Sequence, residues 1–333
     1  MNINFEHKQS AHCESGVISN LLRNKGINIS EPMAFGIGAG LFFGHVPFVK
    51  VGGIPMTTYR VWPGQIFKRV TKRLGVSYSM QSFRNEKQAF DALDEALIHN
   101  IPVGMLTSVY FLPYLPQAFR FRFNAHNIVV FGKEGDDYLV SDPIMDYTTT
   151  IKREDLALAR FAKGLPEPSG RMYYPINAPT DVDLRKPIAQ GIKQASFSML
   201  KLLLPMFGVK GIKYMANAIE SYPSKLGDRK PILYLGNIIR MQEEIGTGGA
   251  GFRFMYAAFL QEAGKLLAKP ELIRISNDLT AAGDIWRNFA YQSGKVCKNR
   301  HAELMSFKEL AELLREVSDK EKVIWTKLGQ LSI

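Results

Sequence analysis

The chain has 333 residues, 46% of them hydrophobic and 22% charged, enough apolar content for two sizeable cores. Its two cysteines, Cys13 and Cys297, exclude a disulfide framework and a cysteine-built metal set, and no Cys-x-x-Cys pair or His-Glu-x-x-His motif occurs. The net charge of +11 is uneven: residues 1–152 carry 15 basic and 12 acidic side chains and residues 153–333 carry 27 and 19, with most of the excess between Arg185 and Lys230, which favours an acidic partner, nucleic acid or anionic lipid over the plainer alternative of a solvated basic face no more than evenly.

The first residues, Met1 to Lys8, lack the apolar run of a signal peptide, and no stretch of about 18 apolar residues is present to span a membrane. A cytoplasmic, reducing location is expected, which suits a working thiol. A helix begins at Cys13, with Val17, Ile18, Leu21 and Leu22 on one face and Gly26 as its stop. A turn-rich apolar stretch runs from Phe35 to Gly44. A helix follows from Glu86 to Asn100 with Phe90, Leu93 and Leu97 on one face, then a strand from Ile101 to Leu106. Tyr110 to Pro116 is a stiff loop of aromatic and proline residues. Asn127–Phe131 and Tyr138–Ser141, joined by a turn over Glu134–Asp137, read as a β-hairpin. Residues 153–184 read as a Pro/Gly-rich connector. From Arg185 onward the period is helical, and the last helix opens with a capping box, Ser306 to Glu309. The expected fold is α+β: a papain-like domain over 1–152, the connector over 153–184, and a mostly helical domain over 185–333.

The chemistry concentrates in Cys13, His126 and Asp142. Cysteine at a helix start, histidine on a strand and an acid at the end of the neighbouring strand form the arrangement of a papain-like thiol catalyst. A free thiol has a pKa of roughly 8.5, and helix N-terminal N–H groups and a nearby imidazolium favour its anion. The imidazole moves protons between leaving group and nucleophile, and a carboxylate on its second nitrogen fixes tautomer and orientation. Asn127 is a second candidate for that last task, but strand alternation points it to the face opposite His126. The backbone N–H of Cys13 is one oxyanion donor; Gln9 and His12 are candidates for the second, with His7 a rival. Tyr110 and Tyr114 are candidates for a substrate wall, against a plain core-packing loop.

Other motifs carry less. Gly36-Ile37-Gly38-Ala39-Gly40 follows no clear strand and lacks the later acidic residue of a dinucleotide site, so close packing or an acyl-pocket wall is expected. Gly246–Gly251 lacks the Lys-Ser/Thr of a phosphate loop and reads as a joint between two helices or a cap of the second. Cys297, among Lys295, Lys298 and Arg300, has no ordered base in view, and His45, His99 and His301 are scattered.

His12-Cys13-Glu14-Ser15-Gly16, the stretch from Ser30 to Gly36, Leu112-Pro113-Tyr114 and the segment from His126 to Asp142-Pro143 resemble the butirosin-biosynthesis protein H family. Gly248 to Tyr256, followed by Ile285-Trp286-Arg287, resembles the helical domain that commonly follows in that family. The resemblance implies a fold related to bacteriocin-processing cysteine peptidases and an acyltransferase of antibiotic or other secondary-metabolite biosynthesis. The family's named member moves an aminoacyl group from an acyl carrier protein to an aminoglycoside amine. By resemblance, Cys13 takes the acyl group from a phosphopantetheine thioester, which serves as co-substrate with no bound cofactor. His126 is then the general base and Asp142 its orienter, a small-molecule amine is the acceptor, and the basic second domain docks the acidic carrier. Members often carry an acid before the Leu-Pro-Tyr element; here Ser108-Val109-Tyr110-Phe111 precede it, so the aminoglycoside is not carried over. The same triad with water as acceptor would give an amidase, peptidase or thioesterase. A non-catalytic binding module with a basic face ranks last, since no nucleic-acid motif is present. Pairing of two chains stays open.

Overall fold

The computed structural model describes residues 2–227, 229–299 and 304–333; Arg300 and His301 lie outside them. In chain order the first elements are α1 (Cys13–Asn24), α2 (Glu31–Ile37), β1 (Leu41–Val51), β2 (Ile54–Arg60), α3 (Gln65–Arg73), β3 (Tyr78–Gln81), α4 (Glu86–Ile98) and β4 (Val103–Thr107). Next come β5 (His126–Glu134), β6 (Asp137–Ser141), β7 (Thr149–Lys152), α5 (Arg153–Arg160) and β8 (Met172–Pro175). The remainder is helical: α6 (Arg185–Leu200), α7 (Gly208–Leu226), α8 (Arg229–Glu243), α9 (Arg253–Leu266), α10 (Pro270–Lys298) and α11 (Phe307–Gln330). Two compact units result, one of Met1–Ala34 with Ile66–Asp183, the other of Phe35–Gln65 with Leu184–Ile333.

The first unit is α+β, as expected. Its sheet is antiparallel with strand order β3-β8-β4-β5-β6-β7. β4 and β5 are buried nearly throughout, and their Met105, Ile128 and Val130 join Phe90, Leu93 and Leu97 of α4 in one apolar core. The hairpin β5–β6 turns at Gly135, whose φ of +61° suits a residue without Cβ. α1 starts at Cys13, with His12 as N-cap accepting from the Ser15 N–H. Glu14, fully buried in its first turn, accepts from the Phe67 N–H and so satisfies an orphan donor at the start of α3.

The structure corrects the expected connector. Residues 153–183 belong to the first unit, where β8 lies between β3 and β4 and α5 follows β7 directly. Arg160 of α5, fully buried, donates to the carbonyls of Ala89 and Gly170, each at 3.2 Å. The boundary at 152 is displaced in a second way, since residues 35–65 fold with the helical unit.

In that second unit β1 and β2 form an antiparallel hairpin beside the helices. The ring of Phe43 on β1 sits 5.4 Å from that of Tyr59 on β2, and both approach Trp286 of α10. Gly36 is a close-packing position: a Cβ there would stand 2.1 Å from the Phe259 ring. Gly246–Gly251 does join two helices, α8 and α9. It ends in a left-handed turn, with φ of +51° at Ala250, +55° at Gly251 and +70° at Phe252. Such a run strains Ala and Phe, and two bonds hold it: the Ala250 N–H donates to Glu243 at 3.1 Å, and Arg253 Nη1 donates to the Gly251 carbonyl at 2.8 Å. The capping box of α11 is present, with Ser306 and Glu309 bonded reciprocally. Among the described residues no helix is long and apolar enough to cross a membrane.

Candidate active site

Cys13 is the first residue of α1, His126 the first of β5, and Asp142 follows the last residue of β6. The short hairpin turn returns β6 beside β5, which brings Asp142 to His126 across 16 residues of sequence: Nε2 of His126 lies 2.7 Å from Oδ2 of Asp142. An ionised carboxylate only accepts, so Nε2 carries the proton and Nδ1 is left for the thiol. Cys13 is the further hydrogen-bond and charge partner of His126. Gly16 makes the closeness of helix and turn possible. A Cβ there would stand 2.6 Å from that of Ser10 and 2.8 Å from that of Pro143, and the Ser10 N–H donates to the Pro143 carbonyl at 2.6 Å.

All three side chains are buried. Burial works against an imidazolium at His126, but the charge and hydrogen bond of Asp142, with Cys13, outweigh it and raise the pKa to about 10. The positive form therefore persists at neutral pH and can stabilise a thiolate beside it. An ordinary histidine titrates near ~6.5, so the contribution of the raised group is complete below that pH and fades as pH rises towards 10. The stability advantage of the wild type over His126→Gln, measured by urea denaturation, is expected to shrink steadily from about pH 6.5 to about pH 10.

Asp142 is held on both oxygens. Oδ2 also accepts from the Tyr114 hydroxyl at 3.0 Å, and Oδ1 accepts from the Ile144 N–H at 3.2 Å. Tyr114, a candidate for a substrate wall or for plain core packing, gives its phenol to the carboxylate. Burial and Asp142 both push its pKa well above 10, so it remains a donor. Tyr114→Phe is expected to lower stability by on the order of 1–3 kcal/mol, read from the urea midpoint, because it removes a donor from a buried carboxylate. Tyr110 is 44% exposed, with the Arg122 guanidinium 5.8 Å from its ring centroid.

The candidates for a second oxyanion donor have other tasks. Gln9 is exposed and its Nε2 approaches the Ile144 carbonyl at 3.5 Å. Nδ1 of His12 caps α1, with Ser15 Oγ at 2.8 Å. His7 uses both ring nitrogens to hold the turn after β6, at Ser141 Oγ (2.7 Å) and the Met145 carbonyl (3.1 Å). Glu31, unnoticed as a functional candidate in the sequence, accepts from the backbone N–H groups of Ala11 (3.1 Å) and His12 (2.5 Å), setting the chain that enters α1. Burial raises its pKa against those bonds.

Asn127 reaches the thiol as well as His126 does. Its Nδ2 lies 3.8 Å from Cys13 Sγ, so the side chains of both His126 and Asn127 meet the thiol, while the His126 ring is bonded to Asp142. Of the remaining candidates, Cys297 Sγ approaches the Ile232 carbonyl and its pKa is raised by burial, opposite to an activated thiol. His45 is buried against Thr57 with its pKa lowered to about 4 by burial, and His99 bonds the Glu95 carbonyl. Among the described residues no three His, Cys, Asp or Glu side chains gather as a metal site.

Comparison with known proteins adds the following. Residues 12–143 match the family described as butirosin biosynthesis protein H, N-terminal. Residues 154–328 match a domain of unknown function (DUF4872). Among solved structures, a C39-like peptidase from Bacillus anthracis aligns over 53% of this chain and 97% of its own at 15% identity, with a TM-score of 0.39. No curated protein matches. The chain belongs to the family that joins a butirosin biosynthesis protein H N-terminal domain to this domain of unknown function.

Proposed function

We propose that the first unit is an acyltransferase that moves an acyl or aminoacyl group from a carrier protein's phosphopantetheine thioester to a small-molecule amine through a Cys13 thioester. The observation that carries this reading is the buried chain of contacts from Asp142 through His126 to Cys13 at the start of α1. The butirosin biosynthesis match supports the transfer chemistry.

The steps balance. The Cys13 thiolate attacks the donor carbonyl, and a carbon–sulfur bond to Cys13 forms. The bond to the phosphopantetheine sulfur breaks, and the departing thiolate takes the proton of the His126 imidazolium. The amine then attacks the acyl-Cys13 carbonyl, and neutral His126 accepts its proton. Cys13 leaves as thiolate, releasing an amide and restoring the starting ion pair. Asp142 keeps the ring oriented throughout. The excess of basic residues after position 152 supports an acidic carrier as donor. Both cysteines are free thiols, which suits a reducing cytoplasm.

The test is intact-protein mass spectrometry of wild type and Cys13→Ala mixed with a panel of acyl-phosphopantetheine thioesters. A mass gain on wild type alone, discharged faster by added amines than by water, is the expected result. Discharge by water at the same rate with or without amines would make the enzyme a hydrolase instead, and an equal gain on Cys13→Ala would overturn the nucleophile.

A further inference from the structure

We propose that Asn127 is a further catalytic residue, its side-chain amide holding the Cys13 sulfur as the thiolate, with Tyr173 as the residue that positions it; this rests on Cys13 being the nucleophile. Asn127 Nδ2 lies 3.8 Å from Cys13 Sγ and donates to the Ala125 carbonyl at 3.3 Å. The Tyr173 hydroxyl donates to Asn127 Oδ1 at 2.7 Å. The Ala125 carbonyl decides which end of the amide faces the sulfur. Turned over, the amide would set Oδ1 against that carbonyl, two acceptors face to face. The nitrogen end is therefore the one presented to Cys13.

Cys13, Asn127 and Tyr173 are all buried, so little water reaches the sulfur to solvate a charge. When the thiol gives its proton to His126, the negative charge formed needs donors, and a bond to a charged acceptor is stronger than the same bond to a neutral one. The separation of 3.8 Å leaves room for the contact to tighten as charge concentrates on the sulfur. No proton moves between Asn127 and Cys13; the amide only donates a hydrogen bond.

Three strands are built around this contact. Gly104 on β4 pairs with Tyr173 on β8 at one side and with Val129 on β5 at the other. A Cβ at Gly104 would stand 2.5 Å from the Tyr173 ring. Glycine inside a strand ordinarily weakens it and marks a close approach. Here the missing side chain lets the Tyr173 ring lie across β4 and reach Asn127 two strands away. Phe67 backs the same ring at 4.6 Å between centroids. Sheet order, one glycine and one phenol thus converge on the orientation of a single amide.

The test is the pH dependence of iodoacetamide alkylation at Cys13, read on the Cys13 peptide, with Cys297 as internal control. Asn127→Ala is expected to move the acid limb about one pH unit higher, with alkylation about tenfold slower along it and the alkaline plateau kept. Asn127→Asp is isosteric and still accepts from Tyr173, but sets a carboxylate against the sulfur; it is expected to move the limb further in the same direction. Tyr173→Phe is expected to move it by a smaller amount. An acid limb unmoved in Asn127→Asp overturns the proposal, and so does a uniform loss of limb, plateau and melting temperature in all three variants. Should Asn127→Ala fail to fold, Asn127→Asp and Tyr173→Phe decide. A wild-type limb at the pH of an ordinary thiol would contradict the nucleophile itself, a result distinct from either.

Discussion

Replacing His126 by alanine is expected to slow formation of the acyl-Cys13 adduct by on the order of 10³-fold, the usual range for losing a positioned acid–base group. The loss has two parts. The imidazolium that favours the thiolate disappears, and the phosphopantetheine sulfur leaves without a proton donor. The fold should survive, because Asp142 keeps the Tyr114 hydroxyl and the Ile144 N–H as donors. The measurement is the rate of mass gain after mixing with an accepted acyl thioester, beside the melting temperature of both proteins. Adduct formation within about tenfold of wild type would remove His126 from the mechanism, since even weak acid–base catalysis contributes about 10²-fold.

Glu321→Ala is expected to destabilise the second unit by about 3–5 kcal/mol, the cost of leaving a buried charge unpaired. Glu321 and Arg253 are both fully buried and bonded on two atoms each, at 2.9 and 3.1 Å. The same carboxylate accepts from the indole N–H groups of Trp286 (2.7 Å) and Trp325 (3.2 Å). One substitution therefore strands a guanidinium and two indole donors. It also loosens Arg253, which holds the Gly251 carbonyl in the left-handed turn before α9. Glu321→Gln keeps the size and part of the bonding, so its loss should be smaller. Urea denaturation followed by tryptophan fluorescence measures both. A loss below about 1 kcal/mol in Glu321→Ala would mean that the pair contributes no more than an exposed one.

The sequence made the centre of the site legible because its three residues differ in kind and lie at ends of elements with clear periodicity. Cys13 opens an amphipathic helix, and His126 and Asp142 bracket a hairpin whose turn residues are evident. What surrounds them was hidden for a physical reason: each supporting contact is long-range. Tyr114 was left between pocket wall and core packing because a stiff aromatic loop says nothing of where a phenol donates. Asn127 was set aside on strand alternation, which governs Cβ direction but not where a side chain at a strand's first residues ends. Tyr173 lay in the supposed connector, since a four-residue strand among proline and glycine has no period to read and exists only through its pairing with β3 and β4. The exchange of residues 35–65 into the helical unit had no signal at all, because local pattern does not show which core a hairpin joins.

Alkylation of wild-type Cys13 by iodoacetamide from pH 5 to 9, compared with Cys297 in the same molecule, tests the activated thiol most directly. The His126 pairing predicts Cys13 reacting at pH 6 at nearly its rate at pH 8, while Cys297, whose pKa is raised by burial, rises about tenfold per pH unit over that range. Cys13 rising in step with Cys297 would contradict the ion pair and, with it, the assignment of Cys13 as the nucleophile.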